Sequence, residues 1–158
     1  MLKKNKIEII VILDNIRSMH NIGSIFRTAD AIGCIKIFLC GICATPPNKE
    51  INKTALGSTE SINWKYFSNT KQAIELLTKQ NYEIISVEQT KNSVPLKKFK
   101  ISNNKIALIF GNEVKGVSNE VLSRSNKHVE ITQYGLKKSM NVSVAAGIVL
   151  WAIKNQTN

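Results

Sequence analysis

IEIIVILDNIRSMHNIGSIFRTADAIGCIKIFLC, residues 7–40, reads as a strand, a turn, a helix and a second strand. Ile7 to Leu13 is almost continuously apolar and rich in β-branched side chains, as expected of a strand buried on both faces. From Ile22 the period changes. Apolar residues at 22, 25, 26, 29 and 32 mark one face of a helix, and Gly33 stands where a left-handed C-terminal cap belongs. Ile35 to Cys40 is a strand again. This order is a βαβ unit, whose strands run parallel because a helix carries the chain back between them.

The same alternation continues outward. Residues 41–61 read as loop plus a short helix, with Pro46-Pro47 as punctuation, and Trp64 to Phe67 as a short strand. Thr70 to Gln80 is helical and Tyr82 to Val87 a strand, followed by a polar, lysine-rich surface connection over 88–104. Ile106 to Phe110 is a further buried strand, Ser118 to Arg124 a helix and His128 to Ile131 a last strand. Asn141 to Lys154 is a helix that is apolar on nearly every side. The fold class expected is α/β, a mostly parallel sheet with helices on both faces, in one domain covering residues 1–158. Ligands of such sheets sit at the carboxyl ends of the strands, which directs attention to the loops after Leu13, Val87, Phe110 and Ile131.

Lys and Arg number 22 against 11 acidic residues, a net charge of +11. A surface so basic attracts polyanions, and RNA, DNA or an anionic membrane face are the partners to consider. An AT-rich coding composition produces the same excess of Lys, Asn and Ile, so charge alone leaves that explanation open. No run approaches the ~20 apolar residues that span a bilayer. The basic start Met1–Lys6 is followed by an apolar stretch too short for a signal peptide. Cys34, Cys40 and Cys43 are odd in number, which fits reduced thiols in a cytoplasmic protein. Cys40 and Cys43 form a lone CxxC, short of the roughly four ligands zinc requires, so no metal site is expected.

Three segments carry candidate chemistry. In the first, residues 14–30, Asn21 can accept from the free amides at a helix start. Arg27 falls roughly 140° round that helix from Ile22, away from the apolar stripe. There it is available to an RNA phosphate or another subunit, or is simply solvated. The second is Phe110-Gly111-Asn112-Glu113-Val114-Lys115-Gly116. Its glycines permit positive φ and let a flat ligand approach the backbone, although a plain strand-to-helix turn looks alike. The spacing is neither GxGxxG nor Walker A. In the third, Ser139-Met140-Asn141 precede the apolar final helix, placing polar groups at a buried helix N-terminus.

In this order the three segments resemble the signature motifs of the SpoU/TrmH branch of the SPOUT methyltransferase superfamily. Asn21 with Arg27 resembles motif one, FGNEVKG (110–116) motif two and SMNVSVAAGI (139–148) motif three, so that the match runs from about Asp14 to Trp151. Val114-Lys115 stands where the family often has Gly-Arg, and Met140 where Leu is common; neither change removes a needed group. The resemblance implies a deep trefoil knot in the C-terminal part, which general rules of chain connection disfavour. It implies S-adenosylmethionine as methyl donor, held by Gly111, Asn112, Gly116, Ile131 and Met140 with help from Val87 and Glu88. It also implies a homodimer packed through the knot and the final helix.

The implied activity is methylation of an RNA ribose 2′-hydroxyl, with tRNA favoured and rRNA the alternative. Arg27 is the implied catalytic centre, and Asn21, Glu113, Ser139 and Asn141 the residues that orient it and the ribose. A guanidinium is a poor base, so clamping a phosphate and stabilising the forming alkoxide suit Arg27 better. No added RNA-binding domain is expected. RNA contacts then fall to Lys97, Lys98, Lys100, Lys137, Lys138 and the 41–61 loop. Two readings compete: a non-catalytic RNA-binding or assembly protein on this fold, and an unrelated nucleotide-binding α/β protein.

Overall fold

The computed structural model describes residues 6–156; of the basic start Met1–Lys6, residues 1–5 lie outside the described residues. In chain order the elements are β1 (Glu8–Asp14), α1 (Met19–Ile32), β2 (Lys36–Cys40), α2 (Lys49–Ala55), α3 (Ser58–Ser61), β3 (Asn63–Phe67), α4 (Thr70–Lys79), β4 (Glu83–Val87), β5 (Val94–Pro95), β6 (Lys105–Gly111), α5 (Asn119–Ser123), β7 (Lys127–Glu130) and α6 (Val142–Lys154). The strands form one 7-stranded sheet in the order β3-β2-β1-β6-β4-β7-β5, and every neighbouring pair is parallel.

Apolar runs in β1 and β6 occupy the middle of the sheet, because side chains on both faces there find a helical layer. Ile9, Val11 and Leu13 share one core with Ile106, Leu108 and Phe110 and with α1, α2 and α6. Ile10, Ile12, Ala107 and Ile109 face the opposite core, closed by α4 and α5. The face presented by Ile22, Ile25, Phe26 and Ala29 of α1 is fully enclosed. Burying a side chain such as Phe26 contributes about 1.5–3 kcal/mol.

Gly33 ends α1 in the left-handed conformation, φ 80°, its amide bonded to the carbonyls of Ala29 and Asp30. The start of α1 differs from the expectation. Ser18 is the cap, its hydroxyl accepting from the Asn21 amide at 3.1 Å. Asn21 therefore lies inside the first turn, and its side chain is released for other work. The 88–104 connection is also more than a surface loop. It adds the edge strand β5 and buries Phe99, whose carbonyl receives the Gln156 side chain at 2.8 Å. The 41–61 stretch holds two helices rather than one.

All three cysteines are buried and free. Burial pushes the thiols of Cys34 and Cys40 up to about 12, so they pack as small apolar groups. The Cys43 sulfur accepts from the Ile16 amide at 3.2 Å and helps fix the turn after β1.

α2 lies directly on α1, and Gly23 makes that approach possible. A methyl group at this position would run into the Ile51 carbonyl and the Thr54 hydroxyl. Gly23→Ala gains roughly 1 kcal/mol of helix propensity, yet the overlap is with backbone. The expected outcome is a net loss of about 1–3 kcal/mol, measured by urea denaturation.

Candidate active site

β1 and β6 are neighbours, but the chain leaves β1 toward β2 and β3 and reaches β6 from the other half of the sheet. Their carboxyl ends flank the point where strand order reverses, the place where open α/β sheets bind ligands. Asp14, at the end of β1, lies abreast of Gly111 at the end of β6. Beside them a cavity of about 410 Å³ opens over the ends of β6, β4 and β7. That volume lies in the range of small-molecule sites, roughly 300–1,000 Å³.

Two glycines shape its wall. A side chain on Gly111 would collide with the backbone of Gly116 and Val117, and Gly116 has φ +69° with the Glu88 carboxylate where a Cβ would stand. Between them the loop closes on itself: Asn112 and Gly116 exchange backbone hydrogen bonds at 3.1 and 2.8 Å. The Asn112 side chain accepts from the amides of Val114 and Lys115 and donates to the Asn15 carbonyl at 2.7 Å. Glu88 accepts from the Val117 amide at 2.9 Å, tying the loop after β4 to the loop after β6.

All seven residues expected to hold a cofactor, Val87, Glu88, Gly111, Asn112, Gly116, Ile131 and Met140, line this cavity. Glu113 and Ser139 line it too. Asn21 and Asn141 stand outside the lining and join it through Glu113. The Glu113 carboxylate accepts from the amides of Arg17 and Ser18, each at 3.0 Å, and from the Asn21 side chain at 3.2 Å. Asn21 in turn accepts from the Asn141 side chain at 3.1 Å, and Asn141 caps α6 through the amides of Ser143 and Val144. Arg27 is not brought into the lining. It is exposed on α1, beyond the clasp.

Burial alone would raise the Glu113 carboxyl, but the Arg17 and Ser18 amides together with Asn21 outweigh it and hold the group below its ordinary range. Glu113 is thus an anion at neutral pH, fixed as an acceptor.

Sequence reasoning passed over Asp14, which is buried where the two loops meet. Its carboxylate accepts from the Thr70 hydroxyl, and from the Asn15 side chain at 3.0 Å. The available signal was a lone carboxylate ending a β-branched strand. Leu122, Val142 and Ala145 were missed as apolar walls of the cavity because each also reads as an ordinary helix residue.

Comparison with known proteins supplies the family. Residues 8–151 match the model of the SpoU rRNA Methylase family. The chain belongs to that family. It is 30% identical over 160 residues to a tRNA (guanosine(18)-2′-O)-methyltransferase of Aquifex aeolicus, covering 99% of this chain and 73% of that protein. A tRNA (guanosine(18)-2′-O)-methyltransferase of Borreliella burgdorferi is 33% identical over 144 residues, 90% of this chain and 64% of its own length. Among solved structures, the AdoMet-bound rRNA methyltransferase from Sinorhizobium meliloti superposes with a TM-score of 0.86 at 29% identity. That match covers 92% of this chain and 55% of the other.

Glu113→Gln replaces one acceptor oxygen by an amide group facing other donors. At pH 7 this SpoU-family protein should lose about tenfold or more in donor-ligand affinity, read by calorimetry, while keeping its circular dichroism spectrum. Because the folded carboxyl is held low, its stabilising effect is present above the unfolded value of about 4.3 and fades as pH falls through the folded value. The difference in urea midpoint between wild type and variant should therefore shrink on going from neutral to strongly acidic buffer.

Proposed function

We propose that this protein transfers a methyl group from S-adenosylmethionine to the 2′-hydroxyl of an RNA ribose. The observation that carries this reading is the glycine-shaped cavity whose wall residue Glu113 is tied through Asn21 to the α6 cap Asn141. The donor fits the residues present. Val87, Leu122, Ile131, Met140, Val142 and Ala145 give apolar walls, and Gly111 and Gly116 leave backbone open where a side chain would fill the space. When bound, the donor supplies a methyl group activated by its sulfonium, so the leaving group needs no acid.

The protein's own task is to place the oxygen and stabilise it as its proton passes to solvent water. Ser139 is exposed at the cavity mouth, with a hydroxyl able to meet a ribose. Glu113, ionised and locked, keeps Asn21 and through it the α6 cap in place. Arg27 clamps the adjacent phosphate and stabilises the developing alkoxide. Since Arg27 lies outside its own chain's cavity, it acts at the mouth of a second copy's cavity.

A homodimer supports that arrangement. Val144, Ile148 and Trp151 are exposed on α6 at i, i+4 and i+7, one apolar stripe that a second copy would cover. The trefoil knot belongs to the same reading. Its support is the crowding of the loops after β4, β6 and β7 with Lys138, Ser139, Met140 and Val142 round one cavity before α6 packs back against α1 and the sheet. We take residues 8–151 as one methyltransferase domain that works in the cytoplasm. No helix among the described residues is long and apolar enough to cross a membrane. The curated relatives above act on tRNA by name and the Sinorhizobium enzyme on rRNA; tRNA is the favoured substrate.

Arg27→Ala should leave donor affinity unchanged while methyl transfer to RNA falls about a hundredfold or more, the scale for losing a charge-stabilising group. Radiolabelled transfer to total tRNA and rRNA measures it, and undiminished transfer would overturn the assigned role. Trp151→Asp should convert the dimer to monomer in sedimentation; a persisting dimer would place the interface elsewhere.

A further inference from the structure

Two loops stand at the cavity mouth with the same unusual make-up. One is closed by the Asn112–Gly116 backbone pair and carries Val114 at 83% exposure beside Lys115. The other leaves β7 and is pinched by the Gln133 side chain, which donates to the Lys138 carbonyl at 3.3 Å. Between those anchors it presents Tyr134 at 88% and Leu136 at 100% exposure, next to Lys137. Val114, Lys115, Gln133 and Lys138 line the cavity, so the first tip and both anchors of the second loop border it, and Tyr134 directly follows one of those anchors.

The hydrogen bonds that close each loop hold these apolar tips away from the protein's own core. Their contact is with something that comes to the cavity. It must offer a flat face to the Tyr134 ring and negative charge to Lys115, Lys137 and Lys138. None of these three lysines is in an ion pair among the described residues. Glu113, the acid on these loops, is exposed but already engaged by Arg17, Ser18 and Asn21.

We infer that Tyr134, flanked by Lys137 and Lys138, is a stacking platform for an unpaired nucleobase next to the methylated ribose. The inference rests on the RNA methyltransferase reading of the cavity. Paired bases keep their faces inside the duplex, whereas bases in loops and single strands can lie on an aromatic ring. The substrate class is thus RNA whose target nucleotide lies in an unpaired segment. The rim lysines hold phosphates on either side, and Tyr134 sets which nucleotide enters.

The test uses the full chain, total tRNA and a fully paired RNA duplex as probes, with S-adenosylmethionine affinity as control. Tyr134→Ala should weaken tRNA binding and raise KM for tRNA by about tenfold to a hundredfold, the effect of losing one base–aromatic stack. Saturating kcat and donor affinity should hold. Tyr134→Phe should retain wild-type affinity, because the ring and not the hydroxyl does the stacking. An alanine variant equal to wild type would overturn the platform, as would a phenylalanine variant as weak as alanine. Equal affinity of wild type for duplex and tRNA would do the same. Dissociation of the oligomer by Tyr134→Ala would assign the loop to a second copy instead. Failure of the enzymatic reading is separate: wild type would then methylate no RNA, whatever Tyr134 does to RNA binding.

Discussion

The Glu113 carboxylate receives hydrogen bonds from donors 92 to 96 residues earlier in the chain, and Asn21, one of those donors, reaches on to Asn141. An ionised acceptor strengthens each such bond, to about 1.5–3 kcal/mol against roughly 1 for a neutral pair. Through this one group the turn after β1, the glycine loop after β6 and the cap of α6 become a single unit. Without it these solvent-exposed donors would turn to water, and the three elements would lose their common anchor.

That junction exists because the sheet is parallel and β1 pairs with β6. Parallel pairing sends both strands' carboxyl ends to the same edge, and the register sets Asp14 beside Gly111. The order of strands then separates the following connections, which leaves a crevice between them. Gly111 and Gly116 keep it open, since a side chain at either would meet backbone or the Glu88 carboxylate. Cavity and clasp share one loop, residues 111–116, so the shape of the cavity wall and the placement of Asn21 and Asn141 depend on the same backbone.

The excess of positive charge is distributed with a consequence for function. Lys115 and Lys138 line the cavity with Lys137 next in sequence, while of the three lining acids Glu88 and Glu113 accept from backbone amides and Glu130 from the Ser93 hydroxyl. The mouth therefore presents cations to an arriving polyanion, and the anions inside are already satisfied.

How much of this could be read from the chain alone depends on the range of the interaction. Strands and helices were legible because hydrophobic period is a local property: Ile7 to Leu13 has one environment on both faces, and 22, 25, 26, 29 and 32 define one stripe. Gly33 was legible as a cap for the same reason. The seven residues lining the cavity were named through resemblance of short motifs, which compress distant geometry into local pattern. The cap at Ser18, the burial of Phe99, the carboxylate of Asp14 and the exclusion of Arg27 from its own cavity were not legible. Each depends on which surface another element brings against it. Sequence by itself determined the α/β alternation and the identity of the groups that could act. Tertiary structure alone decided that Glu113, Asn21 and Asn141 meet, because hydrogen bonds between residues about a hundred positions apart are set by strand order and register, not by local composition.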